Sequence, residues 1–302
     1  MARIIAAADV GSNTAHLLVS RTDGSTLIRL VNRNDWLALG EIVTRQGSIP
    51  SAHVSRIVST LKTFKSVAAK ALAESIFVFA TDAMRSAANR DDVMKAIRDR
   101  TGLSVKLIAP EQEAYFGLRG VMLDVQPKQR AMLFELGGGS AQVACVEGSR
   151  IIREVSLPIG TGRLIAEADM RNPCPPENVA KAEHIIREAL RQCGPFDPVD
   201  LALASGGVGR GIWRAVHPDG ERRLVREEVD YVAWAAARLP AETIAGRFWV
   251  KIRRAETLLP GALVFRALLD HFGLDAMTVS EYGVREGAAL EVAEGNVKAQ
   301  TL

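Results

Sequence analysis

An acid followed by a glycine turn occurs twice in this chain with strands on either side: Asp9, Gly11, Ser12, Asn13 and Thr14 near the start, and Glu135, Gly137, Gly138, Gly139 and Ser140 in the middle. In the first copy 4–10 is an apolar run that reads as a buried strand with the acid near its C-terminal end, and 15–19 forms the next strand before an Asp23-Gly24 turn. In the second copy 131–136 carries Glu135, 141–146 follows, and Glu147-Gly148 turns into 151–155. One copy alone is compatible with an ordinary glycine hairpin. The same order repeated in two halves predicts two folded units whose matching loops face each other across a cleft.

Such loops specify a chemistry. Glycine permits backbone conformations closed to other residues, so successive N–H groups can converge on one anion, and Ser12, Thr14 and Ser140 add hydroxyl donors. A carboxylate beside each turn repels phosphate unless a cation intervenes, so Asp9 and Glu135 read as direct or water-mediated ligands of Mg²⁺. The expectation is a phosphate chain gripped from both sides.

Length and composition agree with this. A chain of 302 residues makes about two domains, and 48% apolar with 24% charged residues is ordinary for a globular protein. No apolar run approaches the roughly 18 residues of a membrane span, so a cytoplasmic protein without a membrane partner is expected. Cys145, Cys174 and Cys193 form no C-x-x-C pair and leave one unmatched in any disulfide scheme, which predicts reduced structural thiols. His16, His53, His184, His217 and His271 lack zinc-site spacing, and His16, inside a strand pattern, reads as a packed residue. A net charge of +3 is too small to argue for nucleic acid but suits a polyanion if the arginines are local. Basic residues outnumber acidic ones over 205–254, which reads as solvated surface. A Walker A loop, a G-x-G-x-x-G turn and a nucleophile elbow are all absent.

Along the chain, a third strand ends near Asn32, and a helix from Pro50-Ser51 buries Val54, Ile57, Val58, Leu61 and Phe64 at three-and-four spacing. A strand at 76–80, a helix capped by Asn89 and stopped at Gly102, a strand at 105–109 and a helix from Pro110 through Met122 follow. The polar segment 124–130 sets the boundary, giving domains 1–125 and 126–302. The second half repeats the plan: strands to about Leu157, a helix over 176–192, a strand over 201–204 ending in Ser205-Gly206-Gly207, helices over 227–239 and 256–272, and a strand over 277–280. The last helix, about 284–295, has the option of packing back on the first domain. The class is mixed α/β.

In order, D-V-G-S-N-T at 9–14, L-G-E at 39–41, A-T-D-A-M-R-S-A-A-N at 80–89, E-Q-E-A at 111–114, L-G-G-G-S at 136–140, S-L-P-I-G-T-G-R-L at 156–164, S-G-G at 205–207 and T-V-S-E-Y-G-V-R-E-G at 278–287 resemble the exopolyphosphatase/guanosine pentaphosphate phosphohydrolase family over nearly the whole chain. The resemblance implies two actin-like (ribonuclease H-like) α/β domains with an interdomain cleft, as in actin, sugar kinases and heat-shock chaperone ATPases, without the helical C-terminal domains of longer members.

By its place alone, Glu113 in a first helical turn reads as dipole compensation; the resemblance makes it the group that activates the attacking water. It further implies Arg85 and Arg163 as two-pronged phosphate holders, Glu41 as an addition to the metal shell, and Ser205, Gly206 and Gly207 as a third phosphate-facing loop flanked by Arg210. The implied substrates are inorganic polyphosphate and then guanosine pentaphosphate, with Mg²⁺ as the ion and Mn²⁺ as its alternative. Two-lobed proteins of this size often self-associate, so a homodimer is expected.

Departures from the family pattern are Glu135 for an aspartate, Gln142 for a glutamate, Ile42 for a glycine and Val208 for a threonine. Loss of a carboxylate weakens cation binding, so a non-catalytic polyphosphate or alarmone sensor is the competing expectation, and a phosphotransferase of the same superfamily a third.

Overall fold

In the computed structural model, which describes residues 2–217 and 219–302, the first acid-and-glycine motif is the tip of a hairpin. Strand β1 (Arg3–Val10) runs antiparallel to β2 (Thr14–Thr22), with Asp9 opposite His16 and Val10 opposite Ala15, and β2 pairs with β3 (Leu27–Trp36). Helices α1 (Leu39–Gln46) and α2 (Ser51–Lys70) return the chain to β4 (Ser75–Ala80), parallel to β1. After α3 (Asp82–Ser86) and α4 (Arg90–Thr101), β5 (Val105–Leu107) adds parallel to β4, and α5 (Pro110–Val121) follows.

Every residue of β4 is buried, as a central strand covered on both faces requires. One face of this sheet carries Ala6, Ala8, Val10, Leu17 and Val19 against Ile57, Leu61 and Phe64 of α2. The other carries Ile5, Ala7, Phe77 and Phe79 against Phe116 of α5, whose ring meets Phe79 edge-on at 6.2 Å. Strand side chains alternate, so Asp9 falls with Ile5 and Ala7 on the α5 face. That parity decides which helices surround it.

The plan then repeats. Strand β6 (Ala131–Leu136) pairs antiparallel with β7 (Ala141–Glu147), Glu135 opposite Gln142 and Leu136 opposite Ala141, which is the register of the first hairpin. After β8 (Arg150–Leu157), helices α6 (Thr161–Ala168) and α7 (Pro176–Leu190) lead to β9 (Ala202–Ser205), parallel to β6. Then come α8 (Gly206–Val216), β10 (Arg223–Val225), α9 (Arg226–Arg238), α10 (Ala241–Arg247), α11 (Ile252–Phe272), β11 (Ala276–Val279), α12 (Val284–Glu294) and β12 (Gln300–Thr301). The sheets run β12-β4-β1-β2-β3, with β5 also on β4, and β10-β11-β9-β6-β7-β8.

The compact units are Met1–Leu123 with Tyr282–Leu302, and Asp124–Glu281. Residues 282–302, which carry the last helix, group with the first unit. Val284, Ala288, Ala289 and Val292 of α12 complete the apolar face on Ile5, Ala7 and Phe79. Glycine sets the approach: a Cβ on Gly287 would lie 1.9 Å from Phe116 O, and one on Gly120 would lie 2.0 Å from Gly283 O, so α5 and α12 touch backbone to backbone. Glu286, 1% exposed, accepts from Gly283 N–H at 3.1 Å and pairs with Arg29 at 2.9 Å.

Several elements differ from the sequence pattern. Strand β3 continues to Trp36, β5 stops at Leu107, and α11 starts at Ile252. Asn89 precedes α4 without capping it; its amide instead exchanges hydrogen bonds with the Ile49 backbone at 3.0 and 2.9 Å. The three cysteines are free and buried, as predicted, and burial pushes the Cys193 thiol up to about 11. Among the described residues, no helix is long and apolar enough to cross a membrane.

Candidate active site

Both turns close with the same hydrogen bond: Gly11 N–H donates to Thr14 O at 3.1 Å, and Gly137 N–H to Ser140 O at 3.0 Å. In both, a following helix start takes up the turn's carbonyls. Leu37 and Ala38 N–H donate to Asn13 O at 2.8 and 2.9 Å, and Gly40 N–H to Ser12 O at 2.7 Å, where α1 begins. Thr161 N–H donates to Gly137 O at 3.1 Å, and Gly162 and Arg163 N–H to Gly138 O at 2.8 and 3.1 Å, where α6 begins. These bonds satisfy the first three N–H groups of α6 and that of Gly40 in α1. They also engage the turn's carbonyls, so its peptide N–H groups are the face suited to an anion.

In the first unit Asp9 keeps some exposure, yet its Oδ1 is sealed from water and has no hydrogen-bond partner. Burial, and then the charge of Glu113, raise its pKa from 3.8 to about 7 against an opposing pull from Arg285. Glu113, in the first turn of α5 and 13% exposed, pairs with Arg85 of α3 at 3.3 Å, and Arg85 also donates to Ile108 O at 2.7 Å. Two predicted residues, the water-activating acid and a phosphate-holding arginine, are therefore brought together, with Asp9 inside their field. Ser12 is buried, and its Oγ accepts from Ala83 N–H at 3.1 Å, tying the turn to α3.

Glu41 pairs with Arg45 on α1 at 3.3 Å and is 39% exposed. Among the described residues no three of His, Cys, Asp or Glu are grouped to hold a metal ion. The sealed, unpartnered Oδ1 of Asp9 nevertheless fits a cation. Mg²⁺ commonly takes one or two protein carboxylates and fills its other positions with water and phosphate oxygens.

In the second unit Glu135 is flanked in register by Gln142 of β7 and Ser205 of β9, all on one sheet face. Gly206, at φ +88, is held so tightly that a Cβ there would lie 2.7 Å from Glu135 Oε1. Gln142, 2% exposed, donates from Nε2 to Ser140 Oγ at 3.2 Å, while its Oε1 and the Ser205 Oγ are buried without hydrogen-bond partners. Arg163 donates to Gly139 O at 3.3 Å and pairs with Glu167 at 3.4 Å, bracing the turn from α6. Val208, 3% exposed, belongs to the apolar core, where a Cβ on Gly261 would meet its Cγ1 at 2.4 Å. Its departure from the family pattern is therefore a matter of packing.

Two features escaped the sequence reading. Arg254 lies across Gly207 and Gly211 of α8, where a Cβ on Gly211 would fall 2.7 Å from its Cδ; burial and the charges of Arg210 and Arg214 lower its pKa to about 10. His16, read as merely packed, bonds Thr14 Oγ1 through Nε2 at 2.8 Å, and its Nδ1 lies 3.3 Å from Arg285 Nη1. The available signal was period two: Thr14 and His16 share a strand face with Asp9.

The sequence model described as the Ppx/GppA phosphatase family matches residues 18–295. A bifunctional 3-dehydroquinate synthase/phosphatase of Fusobacterium nucleatum is 25% identical over 311 aligned positions, which cover 96% of this chain but 46% of that protein. The chain thus spans about half the length of that relative. Exopolyphosphatase 1 of Mycobacterium tuberculosis is 27% identical, with 93% of this chain and 86% of that protein covered. Among solved structures, the Aquifex aeolicus member of the Ppx/GppA family superposes with a TM-score of 0.80 at 25% identity, covering 99% of this chain and all of that one. The fold is the two-domain actin-like α/β architecture that the sequence motifs implied.

Proposed function

Because the chain belongs to the Ppx/GppA phosphatase family, we propose that it hydrolyses terminal phosphoanhydride bonds, with inorganic polyphosphate as first substrate, guanosine pentaphosphate as second, and Mg²⁺ or Mn²⁺ as the ion. A cytoplasmic location and homodimer formation belong to the same proposal. The observation that carries the reading is the Glu113–Arg85 pair at 3.3 Å, whose acid acts electrostatically on Asp9.

Phosphoryl transfer needs little covalent help from a protein, so orientation and charge stabilisation carry most of the rate. Arg85 fixes the orientation of Glu113, and Glu113 accepts the proton of the water that attacks the terminal phosphorus. The turns at 11–14 and 137–140 donate N–H groups to phosphate oxygens, and Arg163 stiffens the second turn. Positive charge from Arg210 and Arg214 on α8, and from Arg254 of α11 lying against it, attracts the polyanion to the loop at Ser205, Gly206 and Gly207. Asp9 would hold the divalent ion, supported by its unpartnered Oδ1, with Glu135 as the corresponding acid of the second turn and Glu41 as a peripheral group; a bound ion would supply charge neutralisation at the phosphate oxygens.

Phosphate release from polyphosphate by the native protein and by Glu113→Gln tests the proposal. A loss of about 10²- to 10⁴-fold is expected for a general base, and equal rates would remove Glu113 from the mechanism. Gln142 favours a second reading, a phosphate-binding sensor, since its neutral amide is committed to Ser140. Tight polyphosphate binding without turnover across several divalent ions would select that reading instead.

A further inference from the structure

We infer that Arg285 and His16 are positioning residues that fix the direction of the Thr14 hydroxyl, aiming its proton at a ligand phosphate oxygen; this rests on the phosphate-binding role proposed for 11–14. Arg285, on α12 and 8% exposed, reaches Asn32 Oδ1 at 3.0 Å and His16 Nδ1 at 3.3 Å through the same nitrogen. A guanidinium only donates. His16 Nδ1 must therefore present a lone pair, because an imidazolium or an Nδ1–H tautomer would set hydrogen against hydrogen.

The single ring hydrogen then resides on Nε2, 2.8 Å from Thr14 Oγ1, and the hydroxyl accepts it. Thr14 cannot return its own proton to that ring nitrogen. No other protein acceptor for it is present among the described residues, and Thr14 is half-buried at the start of β2, directly after the turn. Left alone, a hydroxyl rotates between donor and acceptor roles; the chain from Arg285 removes that choice before a ligand arrives. The second turn holds a neutral counterpart, since Gln142, at the register position of His16, donates to Ser140 Oγ at 3.2 Å.

The counterpart supplies the control. A glutamine side chain at residue 16 can donate to Thr14 as Gln142 does to Ser140, whereas phenylalanine cannot. His16→Phe is expected to raise KM for inorganic polyphosphate about tenfold, the range for one charge-assisted hydrogen bond, while kcat changes less. His16→Gln is expected to stay within about twofold of the native protein. Thr14→Ala should cost at least as much as His16→Phe, and the double variant no more than Thr14→Ala, because without the hydroxyl His16 has nothing to position. Independently of turnover, long-range proton–nitrogen NMR of the ligand-free native protein should find the Nε2–H tautomer, lost in Arg285→Met.

An Nδ1–H ring or an imidazolium at neutral pH would overturn the inference. So would additive losses in the double variant, or equal losses for His16→Phe and His16→Gln. Failure of the native protein to hydrolyse or bind polyphosphate would remove the proposed function, and with it the ligand end of the inference; the ring tautomer would then decide the Arg285–His16–Thr14 chain by itself.

Discussion

The corner at Asp9 and the corner at Glu135 share a turn hydrogen bond, a hairpin register and a helix start seated on the turn carbonyls, yet their acids have different neighbours. Asp9 lies between His16 and Phe79 in register, on a face covered by α5 and α12, which bring Glu113 and Arg285. Glu135 lies between Gln142 and Ser205, with a glycine pressed against its carboxylate. A duplicated backbone thus supports two kinds of corner: one wired to charged side chains, the other built of glycines, a hydroxyl and a neutral amide. On our reading the first corner carries the chemistry and the second mainly grips phosphate.

Kinetics break this comparison most directly. Glu113→Gln should lower kcat by about 10²- to 10⁴-fold, whereas Arg163→Ala should act mainly on KM for polyphosphate, because Arg163 braces the second turn. If both variants lower kcat alike, the two corners are not functionally distinct.

The next effect concerns stability in the metal-free protein. With a carboxyl pKa of about 7 against the ordinary 3.8, folded Asp9 holds a proton that the unfolded chain releases. Stability should therefore fall as pH rises from about 4 to about 7 and remain lower above that. Asp9→Asn should abolish this fall and stabilise the protein at pH 8 by roughly 2–3 kcal/mol, allowing for the partial exposure of Asp9. Thermal unfolding in chelator across that pH range measures it, and an unchanged profile would mean that Asp9 titrates normally.

Gly287→Ala and Gly160→Ala should each destabilise by about 1–3 kcal/mol, since their Cβ atoms would lie 1.9 Å from Phe116 O and 2.3 Å from Gly139 N. The first loosens the α5–α12 contact behind Asp9, and the second unseats α6 from the Glu135 turn, so their separate effects on kcat and KM sharpen the division. Gly246→Ala is the smallest change. It sits in α10 with open space around it, and denaturant unfolding should find it about 0.5–1 kcal/mol more stable than the native protein.

How far the pattern was legible varied with distance along the chain. Helix α2 and the hairpins follow from periodicity and turn residues, and they appear where expected. Short helices α1, α3, α6, α8 and α10 were not foreseen, although α1, α3, α6 and α8 begin at or beside the loops at 11–14, 137–140 and 205–207. They are short, and α6 and α8 carry glycine in their first turns, so intrinsic propensity is low and tertiary hydrogen bonds to the turns hold at least α1, α3 and α6. The pairing of Glu113 with Arg85 and the burial of Val208 in the core likewise depended on neighbours far away in sequence.

By itself the sequence determined the two corners, because a strand, an acid and a glycine turn are local: side-chain alternation and one turn hydrogen bond within a few residues suffice to build them. Tertiary structure alone decided what surrounds each acid. Arg285 reaches His16 and Asn32, and Glu286 reaches Arg29, from the far end of the chain. Such contacts arise only when α12 buries its apolar side on the first sheet, a long-range burial that no local spacing encodes.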